Sequence, residues 1–129
     1  EMYEKTLNNK LDFTFASRYE NNAGSEDDTI VTLIGNFFFT LFGKYFFKLS
    51  ISDILYTFVI GKTSKFNKLN LTKNDFRLCV EFPIKAKKNN LHLGVFPSFE
   101  RKRIAGKKKV NAIRDGFLIL KEMIYQFLN

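Results

Sequence analysis

The chain has 129 residues, 45% of them hydrophobic, which suits one folded domain with a core and excludes a disordered chain. Its 21 Lys and Arg against 13 Asp and Glu give a net charge of +8, which favours an anionic partner. A single cysteine excludes an internal disulfide framework, and a single histidine argues against a histidine-rich metal site or a Ser-His-Asp triad. Because the chain begins at Glu1 rather than Met, we expect a fragment or an excised domain.

The first half of the chain predicts a strand, a loop and a long helix. Residues 11–16 alternate between apolar and polar side chains, which is typical of a strand, and the polar stretch 19–28 predicts a loop. Either Ser25 or Asp28 could cap a helix over residues 29–47.

The predicted helix 29–47 is crowded with aromatic side chains. It contains six phenylalanines, and Lys44 and Lys48 lie at its end. Such a helix suits a membrane interface, where the rings face lipid and the ammonium groups reach phosphates. An aromatic helix in the core of a globular domain fits the same pattern. Charged residues interrupt the apolar region 30–60, which argues against a clean membrane-spanning segment.

The second half predicts shorter elements and a final amphipathic helix. Residues 51–60 predict a short strand, residues 74–88 predict a helix that must tolerate Pro83, and 91–96 and 99–103 predict two further strands. In the last segment, apolar residues recur every three or four positions and share one helical face: Val110, Ile113, Phe117, Leu120, Ile124 and Phe127. This mixed order of elements indicates the α/β class.

The positive charge is concentrated in one block. Residues 84–109 carry nine basic and one acidic side chain, whereas residues 1–28 carry three basic and seven acidic ones. Within the block, Arg103 and Lys109 flank Gly106, which permits a tight turn just before the last helix. Such an arrangement can hold a diphosphate, but it also fits a nucleic-acid patch or a solvated surface.

Three further side chains are candidates for a site. Arg18 directly follows the first predicted strand, at the end where α/β folds place binding groups. Asp53 and Glu81 are acids within apolar stretches, where burial is costly unless the charge is paired or used. Asp53 could instead be an exposed strand end or a helix cap, and Glu81 could pair with a base from the 84–109 block.

The order of these pieces resembles a known family. The segments that carry the resemblance are Ser17-Arg18-Tyr19, Gly35-Asn36, Asp53 with Thr57-Phe58, Glu81, Val95-Phe96-Pro97, and Arg103, Gly106 and Lys109. Together they are similar to the C-terminal half of a family-2 glycosyltransferase with the GT-A fold. The nearest branch is that of the polyprenyl-phosphate glycosyltransferases, which includes dolichyl-phosphate mannose synthases.

The resemblance implies a single partial catalytic domain over residues 1–129, in which a Rossmann-like mixed sheet is flanked by helices. The nucleotide-binding half and the Asp-x-Asp that holds Mg²⁺ or Mn²⁺ would precede Glu1, so this fragment is expected to bind no metal and to be inactive alone. Without the missing half, an exposed sheet edge could make it a homo-oligomer.

The resemblance also assigns roles to individual residues. Arg18 would face the acceptor phosphate, and Asp53 would lie by the sugar as a base or an electrostatic orienter. Arg103 and Lys109 would contact the donor diphosphate or the acceptor phosphate across a loop that turns at Gly106. Glu81 would orient a basic partner.

Several positions depart from the family pattern. Ala16 stands where the family has Gly, and Thr57 replaces the Gly of a Gly-Phe turn. Asp28 and Thr32 stand where the family often has Arg and Ser, and Lys108 replaces the Ser before the final Lys.

The implied reaction is inverting transfer of a sugar from a UDP- or GDP-linked donor to polyprenyl phosphate or a cell-surface saccharide. The protein would be cytoplasmic and peripheral to the cytoplasmic membrane face, which it would contact through residues 29–47. The alternative is a small basic module that binds nucleic acid or an anionic membrane. Against nucleic acid, the aromatic residues cluster at 37–47 instead of interleaving with the basic block.

Overall fold

The computed structural model describes residues 1–106 and 110–129. Its helices are α1 (Met2–Asn8), α2 (Ile30–Phe47), α3 (Thr63–Phe66), α4 (Leu78–Lys88) and α5 (Ala112–Leu128), with a 3₁₀ turn at Asn67–Leu69. Its strands are β1 (Phe13–Ser17), β2 (Gly24–Ser25), β3 (Val59–Gly61), β4 (Leu93–Pro97) and β5 (Phe99–Glu100). The predicted α/β class is confirmed.

Strand β1 is the centre of a three-stranded mixed sheet in the order β3-β1-β4. It pairs antiparallel with β3 and parallel with β4, so that Phe15 lies opposite both Val59 and Val95. All five residues of β1 are buried. A second, parallel pair joins β2 to β5 just beyond the ends of β1 and β4. A small mixed sheet flanked by helices is compatible with part of a Rossmann-like fold.

Helix α4 packs on the sheet through aromatic and aliphatic side chains. The Phe82 ring meets the rings of Phe13 and Phe15 at centroid distances of 4.9 and 5.3 Å. Val80 and Ile84 are fully buried on the same helix. The helix continues through Pro83, as the sequence required, and begins at Leu78 rather than at residue 74 or 75. The later start follows from a turn in which the Asp75 carboxylate accepts the backbone N–H of Arg77.

The strand predicted over residues 51–60 is wrong for most of its length, since only Val59–Gly61 joins the sheet. At Ile54 and Leu55 the backbone bonds to side chains of α2 instead of to a neighbouring strand. The N–H of Ile54 donates to the Thr40 hydroxyl at 3.2 Å, and the N–H of Leu55 donates to the Asn36 amide oxygen at 3.0 Å. This segment is therefore an irregular, partly buried stretch that packs on α2.

Helix α2 follows its predicted bounds, but its cap differs from the prediction. Thr29 is the N-cap and forms a reciprocal capping box with Thr32. Asp28 lies one residue earlier and accepts the backbone N–H of Thr29 at 3.0 Å. By length and composition α2 could cross a membrane, and only 22% of its 18 residues are buried.

Helix α5 leaves much of its predicted apolar face in solvent. Ile113, Phe117, Ile124 and Phe127 are all exposed. The buried stripe lies beside that face and consists of Ile119, Glu122, Met123 and Gln126. Packing against α2 and α4 selects this stripe, and the polar members are satisfied because Gln126 donates to Glu122 at 2.9 Å.

Candidate functional site

The candidate site lies at the carboxyl end of β1. Arg18 follows this strand immediately, and the parallel partner β4 ends beside it, where the N–H of Ser98 donates to the Ser17 carbonyl at 2.9 Å. Strand β5 then places Glu100 next to Arg18. The sheet therefore brings two sequence-distant segments to one edge, which is where open α/β sheets bind ligands.

Arg18 is held by a network of carboxylates. Its Nε and Nη2 donate to the two oxygens of Asp53 at 2.7 and 3.0 Å, and its Nη1 donates to Glu100 at 3.0 Å. Its guanidinium lies over the Tyr56 ring, 4.7 Å from the centroid. Burial alone would lower the pKa of Arg18, but the bonds from Asp53 and Glu100 outweigh it and raise that pKa further.

Asp53 is buried and is neither an exposed strand end nor a helix cap. One of its oxygens also accepts the backbone N–H of Arg18 at 3.1 Å, so the three hydrogen bonds that it forms with residues 1–106 and 110–129 all come from Arg18. This geometry fits a group that orients Arg18, because both oxygens of the carboxylate bind the Arg18 guanidinium.

Asp28 forms the opposite side of the network. Its Oδ2 accepts the Tyr19 hydroxyl at 2.5 Å and lies 3.9 Å from Arg18 Nη1. Its Oδ1 accepts the hydroxyl of Thr32. Burial tends to raise the pKa of Asp28, but the bonds from Thr32 and Tyr19 and the nearby Arg18 hold it below its usual value.

The basic segment after β5 is tied to the acidic loop before α2. Arg103 Nη2 donates to Asp27 at 3.3 Å, and the N–H of Lys102 donates to Glu26 at 3.1 Å. Gly106 has a φ of +85°, the left-handed backbone that favours glycine, with open space around it. Lys109 lies outside the described residues.

Glu81 is buried away from this network. Its carboxylate accepts the N–H groups of Thr72 and Lys73, each at 2.9 Å, and pairs with Lys85 Nζ at 2.8 Å. Lys85 belongs to the predicted basic block, so Glu81 does contact one of its bases. Glu81 is not among the residues that line the cleft described next.

A cleft of about 470 Å³ opens beside Arg18. Its polar lining includes Arg18, Asp27, Asp28, Glu100 and Arg103. Its apolar lining includes Leu55, Tyr56, Phe76 and Ile119. The structure thus gathers two predicted residues, Arg18 and Arg103, around one space and holds Asp53 directly behind Arg18.

Sequence reasoning missed Glu100 as a site residue. A signal was present, because Glu100 is the single acid among nine bases in residues 84–109. A single acid within a basic block indicates a specific partner. Here the Glu100 carboxylate accepts hydrogen bonds from Arg18 and from the Ser25 hydroxyl, the latter at 2.6 Å. Nothing in the local sequence marked Tyr56, which reaches Arg18 through the irregular segment.

Within residues 1–106 and 110–129, no group of three or more His, Cys, Asp or Glu side chains is arranged to hold a metal ion. The family resemblance places its metal-binding Asp-x-Asp before Glu1, so the Mg²⁺ or Mn²⁺ of the full-length protein stays a prediction. Comparisons with protein-family models, with curated proteins and with solved structures find no match to this chain.

Proposed function

We propose that the chain is the acceptor-side part of an inverting glycosyltransferase of GT-A type. The observation that carries this is the Arg18–Asp53 pair at the carboxyl end of β1, beside a cleft that is also lined by the cation Arg103. The resemblance placed these three residues in one site, although 35 residues separate Arg18 from Asp53. Their meeting at one sheet edge supports the proposal.

In the proposed reaction, the acceptor oxygen attacks the anomeric carbon of a UDP- or GDP-linked sugar with inversion. Arg103, with Lys109 assigned by resemblance, faces the diphosphate, where its positive charge stabilises the leaving group. Arg18 orients the acceptor, and Asp53 orients Arg18. The turn at Gly106 lets the basic segment close over the donor and exclude water that would hydrolyse it.

The proposed partner beside the site is the cytoplasmic membrane surface, contacted through α2. Its exposed apolar side chains include Ile34, Phe37, Phe38 and Leu41. Exposed patches of this kind mark interaction surfaces, and the exposed Lys44 can reach lipid phosphates. The protein would then be peripheral to the membrane and close to a lipid-linked substrate.

The test of function is transfer by the full-length protein. Radiolabelled UDP- and GDP-hexoses are offered with polyprenyl phosphate or an oligosaccharide in the presence of Mg²⁺ or Mn²⁺. We expect transfer by the wild type and its loss in Asp53→Asn and Arg103→Ala. Arg101→Ala, which removes an exposed neighbouring charge, is the matched control and should keep its activity. No donor consumption by the wild type under any pairing would refute the proposal.

Membrane contact is tested separately by flotation with phosphatidylserine-containing vesicles. Phe37→Asp on α2 should weaken binding about tenfold, since a ring that enters the interface contributes roughly 1.5–3 kcal/mol when fully buried. Tyr3→Asp changes an equally exposed aromatic residue on α1 and should bind like the wild type. Equal binding by both variants would remove α2 from the interface.

A further inference from the structure

A groove of about 320 Å³ runs along helix α2. Its apolar wall consists of three exposed side chains of that helix: Leu33, Phe37 and Leu41. Asn36 and Lys44 from the same helix add a side-chain amide and an ammonium group to the lining. This α2 groove is separate from the Arg18 cleft, because the two share no lining residue within the described parts of the chain.

The buried Asn36 side chain keeps an unused donor at the α2 groove. Its Oδ1 accepts the backbone N–H of Leu55 at 3.0 Å, whereas its Nδ2 has no acceptor among residues 1–106 and 110–129. In those same residues every fully buried side-chain nitrogen or oxygen has a partner, so the Asn36 Nδ2 is not fully enclosed. Asn36 is only 1% exposed, and it lines the groove. A buried donor that opens to a groove favours a ligand with an acceptor.

Lys44 is the second unused donor of the α2 groove. Its side chain is exposed in the last turn of α2. In the part of the chain that the structure describes, no carboxylate pairs with its ammonium group. An ammonium group and an amide N–H in one apolar groove suit a ligand that is anionic and accepts hydrogen bonds.

The hydroxyl groups that line the α2 groove are already engaged. The Tyr19 hydroxyl donates to Asp28 at 2.5 Å, and the Ser52 hydroxyl donates to Glu20. The Thr40 hydroxyl accepts a backbone N–H at 3.2 Å. Asp28 and Glu20 are not among the described residues that line the groove. The donors left for a ligand are therefore the Asn36 amide and the Lys44 ammonium group.

A glycerophospholipid matches the spacing of these two donors. Asn36 and Lys44 are eight residues apart, which is about 12 Å along the axis at the usual rise of a helix. They therefore face different parts of a ligand. A glycerophospholipid has acceptors in two places, its phosphodiester and its ester carbonyls, and its acyl chains can pack on the apolar wall. A prenyl phosphate has acceptors at one end only and would leave one of the two donors unpaired.

We propose that the α2 groove binds one glycerophospholipid molecule, with its phosphodiester on Lys44, an ester carbonyl on Asn36 and its acyl chains along the apolar wall. The inference rests on the proposed membrane contact of α2 and names the ligand of that surface. Tyr19 lines the groove and directly follows Arg18 in the chain. A lipid bound in the groove would therefore hold the Arg18 cleft beside the bilayer surface.

The test is titration calorimetry of the full-length protein with dihexanoyl-phosphatidylglycerol below its micelle concentration. We expect saturable binding of one lipid per chain. Lys44→Gln should weaken it about fivefold, the contribution of one basic side chain at an anionic lipid surface. Lys121→Gln, which removes an exposed cation from α5, is the matched control and should bind like the wild type.

A second variant tests the amide donor. Asn36→Asp keeps the oxygen that accepts the Leu55 N–H and replaces the unused N–H donor with an oxygen. At about pH 8, where a carboxyl group is normally ionised, it should weaken lipid binding about tenfold or more. Thermal unfolding checks that the variant folds, and if it does not, the comparison of Lys44→Gln with Lys121→Gln decides.

Two further compounds identify the source of the phosphate. Glycerophosphate, which lacks acyl chains, and geranyl phosphate, which lacks ester carbonyls, should each bind at least about tenfold more weakly than the dihexanoyl lipid. Tighter binding of either compound would overturn the inference. So would the absence of saturable lipid binding by the wild type, or equal weakening in Lys44→Gln and Lys121→Gln.

Vesicle flotation separates this inference from the proposed membrane contact. If the wild type floats with vesicles but binds no dihexanoyl lipid, the groove is refuted and the membrane contact stands. If it binds the lipid but does not float, the membrane contact is refuted and the groove assignment is supported. Neither measurement requires sugar transfer.

Discussion

Asp53 and Glu81 are both almost inaccessible to solvent, yet they hold different things in place. In the part of the chain that the structure describes, the three hydrogen bonds to Asp53 all come from Arg18, so this carboxylate fixes one guanidinium group that lines a cleft. Glu81 instead accepts the backbone N–H groups of Thr72 and Lys73, so it fixes a stretch of main chain. A buried acid in an apolar stretch is the same sequence signal in both cases.

The partner of the buried acid separates the two regions. Lys85, which pairs with Glu81, also donates to the Asn70 carbonyl at 2.6 Å, so the whole cluster stabilises the loop before α4. Lys73 from that loop reaches Glu122 on α5 at 3.4 Å. Glu81 thus helps to fix the loop that contacts both α4 and α5, whereas the Asp53 cluster borders the cleft through Arg18. A buried ion pair indicates a functional site when one partner faces a cavity.

The largest expected effect comes from removing Glu81. Glu81→Ala leaves two backbone N–H groups without their acceptor and Lys85 without its ion-pair partner, and removing one member of a buried pair costs about 3–5 kcal/mol. Urea unfolding of the variant should show that loss. Glu81→Gln keeps one acceptor oxygen and should lose less. An unchanged free energy of unfolding in Glu81→Ala would show that the loop holds without its carboxylate.

Asp53→Asn should change activity more than stability. The amide keeps one acceptor for Arg18, and Glu100 still pairs with the guanidinium, so the fold is retained. The loss of a preorganised charge should lower transfer by the full-length protein roughly 100-fold. Asp75→Asn is the matched control, because Asp75 pairs with Arg77 in an exposed Asp–Arg contact outside the cleft lining. Equal activity in the two variants would show that Asp53, like Glu81, has a structural role only.

Local pattern predicted most of the elements but not the contacts between them. The bounds of α2 and the existence of β1, α4, β4 and α5 follow from periodicity and composition. The strand predicted at 51–60 failed because Thr40 and Asn36 on α2 take the N–H groups that a ladder would have used. Whether these side chains or a neighbouring strand accept the N–H groups depends on where α2 lies in the fold. The apolar and β-branched composition of residues 51–60 does not reveal that.

The site was predictable as a set of residue types rather than as a network. Arg18 was found from its place after a strand, and Asp53 from its apolar neighbours. Their pairing spans 35 residues and that of Arg18 with Glu100 spans 82, so no local rule joins them. The exposed face of α5 shows the same limit, since periodicity finds an apolar stripe without telling whether another element covers it.

The two basic partners should respond differently to conservative exchange. Arg18 uses three N–H groups on two carboxylates at once, and a lysine cannot reproduce that fork. Arg18→Lys should therefore lose about 1.5–3 kcal/mol of unfolding free energy, the range for a hydrogen bond to a charged group. Lys85 acts mainly as a point charge and is partly exposed, so Lys85→Arg should stay within about 0.5 kcal/mol of wild type. Equal losses in both would mean that the two clusters are bound by charge alone.

The smallest expected effect is a difference in acid sensitivity. Burial tends to raise the pKa of Glu81, but the bonds from Lys85, Thr72 and Lys73 outweigh it and hold the pKa below its usual value. A lowered pKa in the folded state means that the unfolded chain binds protons more readily. The resulting stabilisation is full above the unfolded pKa of about 4.3 and is lost as pH falls through the folded pKa.

The free energy of unfolding of the wild type should then fall more steeply with acid below about pH 4.3 than that of Glu81→Gln, which has no proton to take up at this position. Asp12 and Asp28 also have lowered pKa values, but they are common to both proteins, so the difference between the two pH profiles isolates Glu81. Parallel profiles would mean that the loop bonds favour the protonated and ionised forms of Glu81 equally.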